Sequence, residues 1–146
     1  MRLLTKFTNI VRIMMIGCDT GFFIQLIRKQ PQAIKIWKEL RDQQEQALVC
    51  CLSLFELKRI FLKGILSAEE QVVFLDAIGV LCKTIWLDNH NSLLNAAQLS
   101  HGTSIPAMDA IILESLIENG ATTIYTTDVH LLLYEKKGIK IVNLLK

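Results

Sequence analysis

Short apolar runs alternate along the chain with longer segments whose apolar residues recur at helical spacing. Arg12 to Cys18 (RIMMIGC), Ala47 to Leu52 (ALVCCL), Thr84 to Leu87, Thr122 to Tyr125 and Ile139 to Leu144 are runs too short for helices. Continuous apolar runs of that length fit strands buried on both faces. Between them, Phe22, Phe23, Leu26 and Ile27 mark one helix face, and Ala33 to Gln46 predicts a helix with Ile34, Trp37 and Leu40 on one stripe. A helix is expected from Ser53 to about Lys63, stopped by Gly64. Ser67 caps another, with Val72, Val73, Leu75, Ile78 and Leu81 as its core face. Asp88 caps a helix to Ser100, His101 to Ser104 forms a loop, and Pro106 opens a helix that closes on Asn119-Gly120. Strands alternating with helices predict an α/β domain, its mainly parallel sheet of four to five strands covered on both faces.

Composition narrows the class. The 146 residues suit one domain, expected over residues 14–146, with residues 1–13 a dispensable arm or a misplaced translation start. No uncharged apolar run approaches the length of about 18 residues that a membrane span needs, so no membrane role is expected. A net charge of +2 excludes a basic nucleic-acid coat but leaves room for a local basic groove. Cys18, Cys50, Cys51 and Cys82 lack metal or redox spacing and sit among apolar residues, which fits the reducing cytoplasm. A hydrophobic content of 51% is high for a monomer and predicts a homodimer.

Four acids carry the candidate chemistry. Asp19 follows the first strand, Glu56 the second and Asp128 the fourth, while Asp109 lies in the first turn of the helix opened by Pro106. In a parallel sheet, strand ends and helix starts share one edge. Each acid also has a structural reading. Asp19 and Asp128 suit helix N-caps, Asp109 suits the positive end of a helix dipole, and Ser53-x-x-Glu56 has the spacing of a capping box. Together, however, four carboxylates at one edge repel, and a hard divalent cation such as Mg²⁺ or Mn²⁺ would relieve that. Such ions activate water and neutralise phosphate charge in phosphodiester hydrolysis.

Strand-Asp19-Thr20, Ser53-x-x-Glu56, Met108-Asp109-Ala110 and Thr126-x-Asp128, in this order and spacing, resemble the motifs of PIN-domain nucleases. The likeness runs from Met15 to the C-terminus and is greatest to VapC-type toxins of toxin–antitoxin pairs. It implies a three-layer α/β/α sandwich and an Mg²⁺- or Mn²⁺-dependent endoribonuclease. Asp19, Glu56, Asp109 and Asp128 would be its catalytic and metal-binding acids, with Thr126 and Thr20 as supporting hydroxyls. It also implies RNA as substrate, an antitoxin protein as partner and a homodimer. Two positions depart from the pattern: Gly21 replaces a frequent Asn, which would loosen that corner, and Leu131 replaces a frequent aromatic.

Other residues are lesser candidates. Lys58 and Arg59 could meet RNA phosphates. His90, His101 and His130 lack zinc-ligand spacing, His130 reading as a surface residue near substrate. Trp37 and Trp86 read as core or subunit-interface residues. A receiver domain would need an acidic pair after the first strand, and a haloacid-dehalogenase-type phosphatase would need Asp-x-Asp where Asp19-Thr20-Gly21 stands. Neither GxxxxGK[ST] nor GxGxxG occurs, which removes nucleotide binding on those loops. A catalytically silent PIN-like binding module, or a PIN nuclease of RNA processing, remains the alternative. Light scattering at micromolar concentration should show a dimer; a monomer there would defeat self-association and leave the nuclease reading intact.

Overall fold

In a computed structural model, residues 14–145 are described. The elements are β1 (Met15–Cys18), α1 (Thr20–Ile27), α2 (Pro31–Arg41), β2 (Gln46–Cys50), α3 (Cys51–Ile60), α4 (Ala68–Leu81), β3 (Cys82–Ile85), α5 (His90–Thr103), α6 (Ala107–Glu118), β4 (Thr123–Thr126) and β5 (Lys140–Asn143). A π-helical turn, Phe61–Ile65, extends α3, and a 3₁₀ turn, Val129–Leu133, follows β4. Residues 1–13, expected to form an arm and to start the first strand, lie outside the described residues, as does Lys146.

All strand pairs are parallel, in the order β3-β2-β1-β4-β5. The period-two alternation of a strand divides the core between two faces. From β2, Ala47 and Val49 join Phe22, Phe23, Leu57, Phe61 and Ile78 on the face covered by α1 to α4. Leu48 and Cys50 join Ile112, Leu113, Leu116 and Ile124 on the face under α6. The architecture is therefore a three-layer α/β/α sandwich with a fully parallel five-stranded sheet. At Gly17 the close approach leaves no space for a side chain: a Cβ would stand 2.6 Å from Ile124 Cδ1 and 3.2 Å from Leu116 Cβ.

Several boundaries depart from the sequence expectation. The helix predicted to reach Gln46 stops at Arg41, because Gln43 turns left-handed at φ 59° and Gln46 enters β2. The helix after β2 begins at Cys51, directly from the strand, rather than at Ser53. Asn89, not Asp88, caps α5, accepting from the Asn91 and Ser92 N–H groups. The expected loop at His101 is helical to Thr103, and Ser104 ends it in the left-handed region. The third strand lies two residues earlier than expected, at Cys82–Ile85.

The core face assigned to α4 is also partly wrong. Ile78 is buried, but Val72 and Val73 are exposed, and Gln71 takes an inner position instead. Its amide donates to the carbonyls of Phe61 and Leu66, at the start of the π-helical turn and just past its end. A backbone need there overrides the apolar pattern. Trp37 packs edge-on against Phe23, whereas Trp86 is exposed and no part of the protomer core.

Gly17→Ala should destabilise the protein by ~1–3 kcal/mol, the usual cost of overpacking. Chemical denaturation would measure it. Ile124→Val, which lacks the offending Cδ1, should recover part of that loss; an unchanged midpoint for Gly17→Ala would show that the α6 layer yields freely.

Candidate active site

The strand order reverses direction between β1 and β4, with connections leaving to opposite sides of the sheet. That switch point is where an open α/β sheet leaves a crevice at its C-terminal edge. Asp19 leaves β1 there, its N–H donating to the Tyr125 carbonyl of β4 at 3.2 Å. Its side chain is held at both oxygens. Oδ1 accepts from the Gly21 N–H at 2.8 Å, and Oδ2 accepts from the Thr126 hydroxyl at 2.5 Å. Thr126 is fully buried, and its Oγ1 also accepts from the Asp128 N–H at 2.9 Å. One hydroxyl thus ties the acid after β1 to the backbone of the acid after β4.

Glu56 comes to the same edge from α3. Its Oε1 accepts from Thr20 Oγ1 at 2.5 Å, and the Thr20 hydroxyl also lies 3.1 Å from Ser53 Oγ. The capping-box reading of Ser53 and Glu56 is overturned, because Ser53 lies inside α3 and Cys50 precedes the helix with no side-chain cap. Ser53 is instead a buried hydroxyl that supports Thr20. The sequence shows it only as a polar residue one turn before Glu56. A capping box is formed instead by Ser67 with Glu70, at the start of α4.

Asp109 sits in the first turn of α6. Burial pushes its carboxyl up from 3.8 to about 7, helped by a hydrogen bond shared with Asp128 and by the charges of Asp128, Glu56 and Asp19. Asp109 therefore feels the other three acids. Burial likewise raises Asp19 to about 6, against the lowering pull of its hydrogen bonds with Thr126, Gly21 and Phe22. Burial also pulls Asp128 upward, but the His130 N–H, Asp109 and the His130 ring outweigh it and hold Asp128 below its ordinary value. The hydrogen bond the two share thus raises Asp109 and lowers Asp128.

Asp19 and Asp128 are also the helix caps expected of them, accepting from Gly21 and His130 respectively. Capping uses one oxygen of each and leaves the carboxylate charge in place. Gly21 does not loosen its corner, because Thr127 fills it: a Cβ at Gly21 would stand 2.9 Å from the Thr127 backbone nitrogen. Leu131 is buried and serves packing.

The weaker candidates separate. Lys58 donates to Gln71 of α4 at 2.8 Å, and two residues from Glu56 on a helix it points nearly the opposite way. It holds α3 to α4 and does not face the acids. Arg59, three residues from Glu56, is exposed on the acid's side of the helix. His130, read from spacing as a surface residue, places a ring nitrogen 2.8 Å from Asp128 Oδ1. Asp109, Asp128 and His130 each offer a donor atom within 4.8 Å of the others.

The donor set fits a hard divalent cation. It is almost entirely carboxylate oxygen, and among the described residues no Lys or Arg forms an ion pair with any of the four acids. The repulsion that raises Asp109 is what such an ion would offset.

A family model described as the PIN domain matches residues 16–137. The chain belongs to the PIN domain family. Its fold is also that of solved VapBC structures. A chain of VapBC2 from Rickettsia felis, bound to a promoter DNA fragment, aligns with a TM-score of 0.69 at 18% identity, covering 89% of this chain and 98% of that one. VapBC-1 from nontypeable Haemophilus influenzae gives 0.68 at 15% identity, covering 91% and 100%. DNA-bound VapBC from Salmonella typhimurium gives 0.67 at 17%, covering 90% and 99%. A comparison with curated proteins returns no match. This PIN domain therefore spans nearly the whole of those chains.

The raised carboxyls set a pH dependence. Between about pH 4 and pH 7 the folded PIN domain binds more protons at Asp19 and Asp109 than the unfolded chain, so stability falls as pH rises through that window. In EDTA, the melting temperature should drop from about pH 5 to about pH 8, and Asp109→Asn should flatten the drop. A melting temperature that is flat or rising over that range would mean the acids do not burden the metal-free fold.

Proposed function

We propose that this PIN domain is an Mg²⁺- or Mn²⁺-dependent endoribonuclease, the toxin of a VapBC-type toxin–antitoxin pair. The observation that carries the reading is the convergence of the Asp19, Glu56 and Asp128 charges on Asp109 near the β1/β4 switch point, without a Lys or Arg counter-ion among the described residues. Asp19 and Asp109 are the principal metal ligands in this reading, and Glu56 and Asp128 complete the set directly or through waters. When bound, the cation supplies activation of the attacking water and neutralises charge on the phosphate.

The chain's own part is preorganisation. Thr126 and the Gly21 N–H hold Asp19 at both oxygens, and Thr20, backed by Ser53, holds Glu56. Substrate RNA would lie across the sheet edge, where exposed Arg59 of α3 is a basic candidate for a phosphate. The VapBC assignment draws on structures of similar chain length and fold, which makes a small antitoxin protein the expected partner. Exposed Val73, Val80, Leu93 and Leu94 offer apolar surface for such a partner or for a second copy. Unpaired cysteines at all four positions suit a reducing cytoplasm, and among the described residues no helix is long and apolar enough to cross a membrane.

Purified protein should cleave RNA with Mg²⁺ or Mn²⁺ and stop on addition of EDTA, leaving 5′-phosphate and 3′-hydroxyl ends. Asp19→Asn and Asp109→Asn should each lose more than ~100-fold, beyond what damage to a metal's supporting shell costs. Asn keeps the cap at position 19 through its one oxygen and removes the charge together with the acceptor of the Thr126 hydroxyl. Cleavage that survives EDTA, or 2′,3′-cyclic phosphate ends, would sink the mechanism.

A further inference from the structure

His130 is the side chain at the acidic site to which the proposed reaction gives no task. It stands in the 3₁₀ turn after β4, two residues beyond Asp128. Its backbone N–H donates to Asp128 Oδ1 at 2.9 Å, a cap that any residue at that position would make. Its ring adds a second contact to the same oxygen, with Nδ1 at 2.8 Å. An ionised carboxylate only accepts, so Nδ1 carries the proton and donates. The ring is 54% exposed and therefore not fixed by packing. The contact with Asp128 is the specific interaction that the structure gives it.

That contact falls on the acid that most needs it. Asp19 is held by Thr126 and Gly21, and Glu56 by Thr20. Among the described residues Asp128 receives no Ser or Thr hydroxyl, and its other side-chain partner besides His130 is the hydrogen bond it shares with Asp109, itself a metal-ligand candidate that turns toward the cation when one binds. The terminal torsion of an Asp side chain is broad, so once Asp109 is drawn to a cation one backbone bond would leave the carboxylate free to swing. Two donors converging on Oδ1 fix its plane and occupy that oxygen.

We propose that His130 is a positioning residue for the metal site, its Nδ1–H orienting Asp128 so that the remaining carboxylate oxygen is presented, with Asp109, to a divalent cation. The inference rests on the metal-dependent reading above and adds the group that sets how tightly this corner binds. Supporting partners of metal ligands commonly change affinity by 10–100-fold when removed.

The test is titration calorimetry of Mn²⁺ and of Mg²⁺ into wild type, His130→Ala and His130→Asn, with melts of all three in EDTA. Asn carries Nδ2 at the same bond distance from Cα as the imidazole Nδ1, but has nothing in place of Nε2. His130→Ala should weaken Mn²⁺ by ~10-fold or more, His130→Asn should restore affinity close to wild type, and the three EDTA melts should coincide. An Ala variant that binds like wild type overturns the inference while leaving the metal site standing. Equal weakening of Ala and Asn also overturns it, because His130 would then be a direct ligand through Nε2. A wild type that binds neither ion removes the metal-dependent reading and this inference together.

Discussion

One buried hydroxyl holds the site together. Thr126 Oγ1 donates to Asp19 and accepts from the Asp128 backbone, and it can do both only because β1 and β4 are neighbours in parallel register. Cys18 lies opposite Tyr125, so Asp19, the residue after β1, comes beside Thr126, the last residue of β4. The Asp19 N–H to Tyr125 carbonyl bond closes the same corner from the backbone. A shift of one residue in that register would turn Thr126 to the other face and leave Asp19 unheld. The chemistry of the site is in this sense a consequence of strand pairing.

The rest of the fold brings the other acids to that corner against their mutual repulsion. Burial raises Asp109 and Asp19, and the neighbouring carboxylates raise Asp109 further. The apolar layers are what tolerate this. Phe22 and Phe23 anchor α1 directly behind Asp19, and Ala110, Ile112 and Leu113 fix α6 directly behind Asp109. Small residues matter where elements approach most closely, as at Gly17 beneath Leu116 and Ile124, and at Gly21 beside Thr127. A protein that concentrates like charge at one edge must be rigid there, and the hydrogen bonds of Thr126, Thr20 and His130 supply that rigidity to three of the four acids.

Much of this was legible in the sequence, for identifiable reasons. Buried parallel strands are short apolar runs, and the acids that follow them stand out because a charge directly after such a run has few other uses. Asp19 and Asp128 could thus be picked out, Asp109 by its place in the first turn of the helix that Pro106 opens, and the α/β class and parallel sheet by the alternation of elements. What periodicity could not give was the inside of each helix. Ser53 and Glu56 have capping-box spacing, yet the strand runs straight into α3 at Cys51, and spacing carries no information about where a helix starts once the preceding residues are apolar. Gln71 takes the inner position expected of Val72 and Val73, where its amide donates to the Phe61 and Leu66 carbonyls beside the π-helical turn, which no apolar side chain could do.

The sequence by itself determined which side chains were available and near which element ends they would lie, because hydrophobic period and chain order are local properties. The tertiary structure alone decided the partners. Thr126 bonding Asp19 spans 107 positions, Thr20 bonding Glu56 spans 36, and the Asp109–Asp128 pair joins a helix start to the end of the next strand. Hydrogen bonds of that span exist only after strand order and register are set. The raised carboxyls of Asp19 and Asp109 follow from the same step, since burial and the approach of like charges are properties of the folded chain and of no segment within it.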